Sequence, residues 1–205
     1  MRKPQMGKRF LFVANHPCLD FINTQMILHG HAVDLLGNVD DLVAWLVQAR
    51  VLDVTAAAEL VGRWGGQRDG VRLFEQVKRF RAVLRAAAER IAEGRTVPPS
   101  TVGAINELLR RRIGYTQLVR GRSGFERSFH SESDGADRLL VSLAEAASDL
   151  LCEADFSLIK RCRNAACILY FYDTTKNHAR RWCSMGLCGN RMKVAAHYRR
   201  TRTKG

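Results

Sequence analysis

The chain has 205 residues, 46% of them hydrophobic, and a formal net charge of +13. That length suits one domain of ordinary size plus a small module, and that apolar content excludes wholesale disorder. No run of about 18 apolar residues offers a membrane span. Near the N-terminus the apolar stretch Phe10–Ala14 is shorter than the about 7–15 residues that a signal peptide requires, so a cytoplasmic protein is expected. In a reducing compartment its six cysteines point to metal ligands or buried apolar residues rather than disulfides.

In chain order, the first part carries helical periodicity. Asn38 is placed to cap a helix over Val39–Arg50, with Leu42, Trp45 and Leu46 on one face and acids in the first turn. Thr55 is placed to cap a second helix that stops at Gly65-Gly66. A long helix is predicted over Val71–Glu93, ended by Gly94. After Pro98-Pro99, Ser100 is expected to cap a further helix over 101–111. The period then changes to two, and residues 112–120 and 125–131 read as a β-hairpin across the turn residues RGRSG. Ala136–Ala154 returns to helical spacing, with Leu139, Leu143, Ala147 and Leu150 inward. The expected fold is therefore mainly α with one β-hairpin (α+β), over residues 1–155, followed by a small four-cysteine module over 156–205. Cys18 and Cys152, on apolar stretches outside that module, are expected in the core.

Charge is not spread evenly. Residues 160–205 hold twelve Lys/Arg against one acid, Asp173, a local charge of +11; residues 1–159 hold the remaining +2. An asymmetry of this kind is expected where one end of a chain meets a polyanion. Within the same segment Cys162, Cys167, Cys183 and Cys188 form two C-x4-C pairs separated by fifteen residues. Zinc takes four thiolate or imidazole ligands in a closed structural site, and two short loops can each present two sulfurs to one ion. The module has too few apolar residues to fold alone, so metal binding would supply its folding free energy, on the order of 10 kcal/mol. Two disulfides or a redox switch are the alternatives for the same thiols.

Between the pairs, Tyr170–Tyr172 reads as strand, and Asp173 or Thr175 as the cap of a short helix carrying His178 to Trp182. After Gly189 a helix fits Asn190–Arg200, with Asn190, Lys193, His197 and Arg200 in one polar stripe and Met192, Ala195 and Ala196 on a packing side. A basic helix held by zinc has the shape that enters a major groove. The candidate DNA contacts are Arg163, Lys176, Arg180, Arg181, Asn190, Arg191, Lys193, His197, Arg199 and Arg200. One small module reads few bases, which makes a homodimer on double-stranded DNA the expected assembly. Two alternatives stand beside this. An RNA binder would stack bases on Tyr170, Phe171, Tyr172 and Trp182; a zinc-stapled protein-interaction or redox module would bind no nucleic acid.

The stretch from Cys162 to Arg200 resembles the CGNR zinc finger, named for the string that stands here as Cys188-Gly189-Asn190-Arg191. The likeness takes in both cysteine pairs, Phe171, Asp173, Asn177, Arg181-Trp182-Cys183-Ser184-Met185, Lys193, Tyr198 and Arg199. The string HPCLDFINT, His16–Thr24, resembles the ABATE-type domain that precedes such fingers in stress-induced transcription regulators. The resemblance covers nearly the whole chain. It implies one structural zinc, DNA binding, transcription regulation and an N-terminal part that senses a small molecule, in a protein of the cytoplasm and nucleoid.

For that small molecule, Asn15, His16, Asp20, Asn23 and Thr24 form a polar group in an apolar segment, with Arg81 or Arg85 as anion partners from the long helix. Structural pairing and capping are the competing roles for the same residues. An enzyme is not expected. His16, Cys18 and Asp20 lie close in sequence, but no phosphate loop, paired carboxylates or oxyanion-hole glycine pattern accompanies them.

Overall fold

The computed structural model describes residues 10–52, 54, 57–58, 68–121, 123–133 and 135–202, the side chains of 198–200 and 202 excepted. Helix α1, Pro17–Ile22, starts on a proline whose missing N–H costs nothing there, and the His16 ring Nδ1 accepts from the Cys18 N–H at 3.2 Å. A short antiparallel pair follows, β1 Gln25–Leu28 and β2 His31–Asp34. Its two-residue turn, His29-Gly30, has φ +51° and +84°, the paired positive values of a type I′ hairpin. This hairpin was not expected from the sequence. Its only signal is one glycine beside a residue seldom chosen for such a turn.

Helix α2, Val39–Gln48, is capped by Asn38, whose side chain accepts from the Asp41 N–H at 2.9 Å, as expected. It ends before the expected Arg50, which takes a left-handed φ of +59° past the last turn. The next expected helix falls largely outside the described residues; 57 and 58 are helical. Helix α3, Arg68–Ala92, begins three residues before its expected start and stops at Gly94, φ +71°. Helix α4, Pro99–Leu109, has Pro98 at its N-cap with no side-chain cap. Ser100 is thus inside the first turn rather than capping it, because Pro99 already carries the fixed φ of a first helical residue.

Strands β3, Gly114–Gly121, and β4, Gly124–Ser131, form the expected hairpin in continuous register. Helix α5, Gly135–Glu153, matches its expected span to within a residue. A 3₁₀ turn, Phe156–Leu158, leads into β5, Ile159–Arg161, paired antiparallel with β6, Tyr170–Tyr172. A π-helical turn, Met185–Gly189, runs directly into α6, Asn190–Arg202. The short helix expected between the cysteine pairs is absent; residues 173–182 form a loop. The chain is mainly helical with small antiparallel strand pairs, an α+β fold. No helix among the described residues is long and apolar enough to cross a membrane.

The core gathers the inner faces of α1, α2, α3 and α5 around Phe21 and Trp45, whose ring centroids lie 5.4 Å apart. It does not stop at α5. Ile159, Leu169, Tyr170, Phe171 and all four module cysteines belong to the same buried cluster. Hydrogen bonds fasten the two parts together as well. Asn23, 1% exposed, donates to the Tyr170 carbonyl at 2.7 Å and accepts from the Tyr170 N–H at 3.0 Å, completing the free edge of β6. The Tyr172 N–H donates to the Ala14 carbonyl at 2.8 Å, and Asn15 donates to the Tyr172 carbonyl and to Thr174 Oγ1. From α3, the Arg85 guanidinium donates to the carbonyls of Ile168, Gln25 and Ile22.

Asn23→Ala is expected to leave the buried Tyr170 N–H and C=O both unpaired, each costing about 1–3 kcal/mol. A urea titration of the zinc-loaded protein should read a destabilisation of about 2 kcal/mol or more.

Candidate metal centre and basic surface

The two cysteine pairs sit on turns that local hydrogen bonds shape before any cation is considered. In the first, the Cys162 N–H donates to the Leu169 carbonyl at 2.9 Å and the Cys167 N–H to the Asn164 carbonyl at 2.8 Å. In the second, the Ser184 side chain accepts from the Leu187 N–H at 3.0 Å, and the N–H groups of Cys188 and Gly189 converge on the Ser184 carbonyl. A Cβ built on Gly189 would stand 2.5 Å from Met185 Sδ and 3.2 Å from Trp182 Cδ1, so the turn closes over a bare backbone. Each turn also serves the other's sulfur. The Cys183 N–H donates to Cys162 Sγ at 3.4 Å, and Asn164 Nδ2 donates to Cys188 Sγ at 3.3 Å.

All four sulfurs are buried and lie within 4.8 Å of one another. Cys167 Sγ and Cys183 Sγ are 3.9 Å apart. The edge of a tetrahedron of sulfurs at a zinc–sulfur distance of about 2.3 Å is about 3.8 Å. The donor set, its spacing and the N–H groups aimed at the sulfurs all fit that ion, and the four cysteines are positioned to bind one zinc. Four protein ligands leave no open position for a substrate, which makes the site structural. Left to protons alone, the sulfurs share them unevenly. Thiol donation from Cys167 and Cys183 holds the Cys162 sulfur far below the usual thiol range, while the bonds to Cys162 push Cys167 up to about 12 and Cys183 up as well.

The loop between the pairs is organised by Asp173, fully buried. Its Oδ2 accepts from Lys160 Nζ at 2.7 Å and the Arg180 N–H at 2.9 Å; its Oδ1 accepts from the Thr175 N–H and hydroxyl. Burial alone would raise this carboxyl, but Lys160, Thr175 and the Arg180 N–H together hold it below the ordinary range. Of the structural residues here, Asn164 and Lys160 were missed by sequence reasoning. A C-x-N-x2-C turn, with an amide able to reach across, is the signal that could have identified Asn164.

Among the expected DNA contacts, Arg180 is turned inward. Its guanidinium donates to the carbonyls of Val13 (2.6 Å), Trp182 (3.0 Å) and Cys183, and lies 4.2 Å from the Phe171 ring centroid. It is committed inside the protein. Arg163, Lys176, Arg181, Asn190, Arg191, Lys193 and His197 are exposed, and the side chains of Arg199 and Arg200 lie outside the described residues. On α6 the expected packing side is weak: Ala195 is exposed and Met192 and Ala196 are half-buried, because among the described residues the helix leaves the π turn without another helix or strand to lie on. Cys152 is exposed, not in the core; Cys18 is buried, its thiol pushed up to about 12.

The residues of the expected ligand group all have partners within the protein. Asn15 and Asn23 hold β6 and the loop after it, and His16 caps α1. Asp20 accepts from the N–H groups of Val13 and Ala14, both at 2.9 Å. Thr24 donates to the Phe21 carbonyl and accepts from Arg81, which is 1% exposed and forked onto Asp34. Every one of these residues is occupied by the protein itself. Segment His16–Thr24 seats the cysteine-bearing part through Asn23.

Compared with known proteins, residues 15–154 match the family described as "ABATE: Putative stress-induced transcription regulator" and residues 159–201 match the CGNR zinc finger. Neither is an enzyme family. No curated protein matches the chain.

Cys183→Ser, or a strong chelator, is expected to remove the single zinc and unfold the segment after 156. Because that segment shares the core, the thermal midpoint of the helical part should fall as well, on the order of 10 °C, with most of its helical circular dichroism retained below the transition. Zinc affinity should weaken as pH falls, since protons compete for the same sulfurs.

Burial pushes the Asp20 carboxyl up to about 6, from an ordinary 3.8, against its two N–H donors and Arg180. A raised folded pKa contributes stability below the unfolded value, and that contribution is lost as pH rises through about 6. Asp20→Asn keeps an oxygen acceptor without the charge. Its urea midpoint relative to the parent should therefore climb between about pH 4 and pH 6, a difference in which the zinc contribution cancels.

Proposed function

The chain belongs to the ABATE family and ends in a CGNR zinc finger, and on that premise we propose that it is a transcription regulator that binds double-stranded DNA through the finger. One observation carries the reading. The π turn that presents Cys188 continues without a break into α6, so the metal fixes the direction of an exposed helix. That helix begins Asn190-Arg191-Met192-Lys193 and lies in a segment of charge +11. Arg191 and Lys193 would meet phosphates or guanine, Asn190 an adenine edge, and Arg163, Lys176 and Arg181 the flanking backbone. The protein would act in the cytoplasm, on the nucleoid, as a homodimer.

An RNA platform is the weaker reading, because of the four aromatic residues expected to stack bases Tyr170 and Phe171 are buried and Tyr172 and Trp182 only half-exposed, so none presents a fully open ring to a base. Control by a small molecule would use a place other than the His16–Thr24 segment. A cavity of about 220 Å³ bounded by Leu52, Phe129, Arg138 and Glu145 offers room in the N-terminal part. No catalytic role is assigned to the chain, since the closed metal site offers no reacting position.

Selection of random duplex DNA by the zinc-loaded full chain, at about physiological salt, is expected to enrich a motif. Arg191→Ala should retain one zinc, weaken binding roughly tenfold and lower the salt slope by about 1. Failure to retain DNA, or retention indifferent to Arg191 and Lys193, would overturn the reading.

A further inference from the structure

The β3–β4 hairpin carries a second concentration of positive charge, hidden in the near-neutral sum of the first 159 residues. Residues 110–127 contain six arginines against one acid, Glu126. Two of the six are spoken for at the root: Arg111 pairs with Asp137 and Glu107, and Arg112 with Glu145. Further out, Arg120 and Arg127 have no carboxylate partner among the described residues. The register places them on one face. Arg120 stands opposite Phe125, Leu118 opposite Arg127 and Thr116 opposite Phe129, and directly opposed side chains project to the same side of a ribbon.

This face is open. Leu118 is 67% and Phe125 70% exposed, and neither strand makes extensive contact with any other described element. The hairpin is anchored instead at its base. There the Glu132 N–H donates to the Ile113 carbonyl, and a Cβ on Gly114 (φ +153°) would stand 2.1 Å from the His130 carbonyl oxygen. Eight residues per strand at about 3.4 Å each make an arm of about 27 Å. A two-stranded ribbon is narrow enough for the major groove, and apolar side chains among arginines are what groove-binding arms bring to base steps. A second copy of the chain would suit this face poorly, since it would oppose Arg120 and Arg127 to like charges.

We propose that the β3–β4 hairpin is a second DNA-contacting element, an arm that lays its Arg120–Arg127 face on the duplex. It takes the identity of the partner from the function proposed above, but none of its residues. The arm adds phosphate contacts that the finger alone does not have.

The test compares the zinc-loaded full chain with Arg120→Gln/Arg127→Gln on one duplex across a range of salt. Both positions are exposed strand residues, so zinc content and thermal midpoint should stay unchanged. The salt slope should fall by about 2 and affinity at about 0.1 M salt by tenfold or more. An unchanged slope, with the parent still binding DNA, would overturn the arm and leave the finger's role intact. A parent that binds no DNA would bring down both. Leu118→Ser/Phe125→Ser supplies the remaining check. If it turns a dimer into a monomer while the arginine variant keeps its slope, the arm is a self-association element and the proposal fails.

Discussion

Four thiolates within 4.8 Å of one another repel too strongly to coexist without a cation, and the last quarter of the chain depends on resolving that repulsion. The protein prepares for it with neutral donors. A backbone N–H from the second turn faces a sulfur of the first, and an amide from the first turn faces a sulfur of the second. Each turn is thus incomplete without the other, and the ion that holds them fixes β5, β6, the Asp173 loop and the start of α6 as one unit. The basic surface inherits its geometry from this centre. An arginine on a free tail can reach any phosphate, whereas one on a helix rooted in a closed metal turn can reach only some.

The same unit is not an appendage. One nitrogen of Arg180, Nη2, donates both to the carbonyl of a cysteine ligand and to the Val13 carbonyl, with Phe171 beneath the guanidinium. Asn23 treats the Tyr170 backbone as a neighbouring strand would. Such contacts are costly to break, because each leaves a buried polar group without water. They give the early polar string of the sequence a physical reason: its side chains satisfy backbone that the small β5–β6 pair is too narrow to satisfy itself.

The sequence was informative where one strong local rule governed. The paired cysteines, the Asn38 cap, the long α3 and the alternation of β3–β4 each follow from spacing or capping chemistry that neighbours do not override. It was silent or misleading where the partner lay far away. Asn15, Asp20, Asn23 and Arg81 look like a binding group because buried polar residues look alike whether they face a ligand or a distant backbone. The β1–β2 hairpin turns on a histidine in left-handed conformation, a state uncommon for any residue but glycine and too weakly signalled by one His-Gly pair to be read in advance. The helix expected before Trp182 fails because Asp173 spends its carboxylate on Lys160, Thr175 and the Arg180 N–H instead of starting a helix. Arg180 reads as a surface cation, and only the arrangement of three carbonyls around it reveals an internal brace.

The Asn23–Tyr170 pair joins residues 147 positions apart, and this bears on how the molecule is made. A ribosome delivers α1 long before β6 exists. Until the last quarter of the chain emerges, the Asn23 amide has no native partner, although α1 can already pack on the other N-terminal helices, and closing so long a loop is slow. The N-terminal helices can condense early, yet their final arrangement waits for a segment that itself waits for a metal ion. Zinc supply at the moment of synthesis therefore sets when the seam between α1 and β6 can close, and α1 lies at the end of the chain opposite to the one that holds the ion.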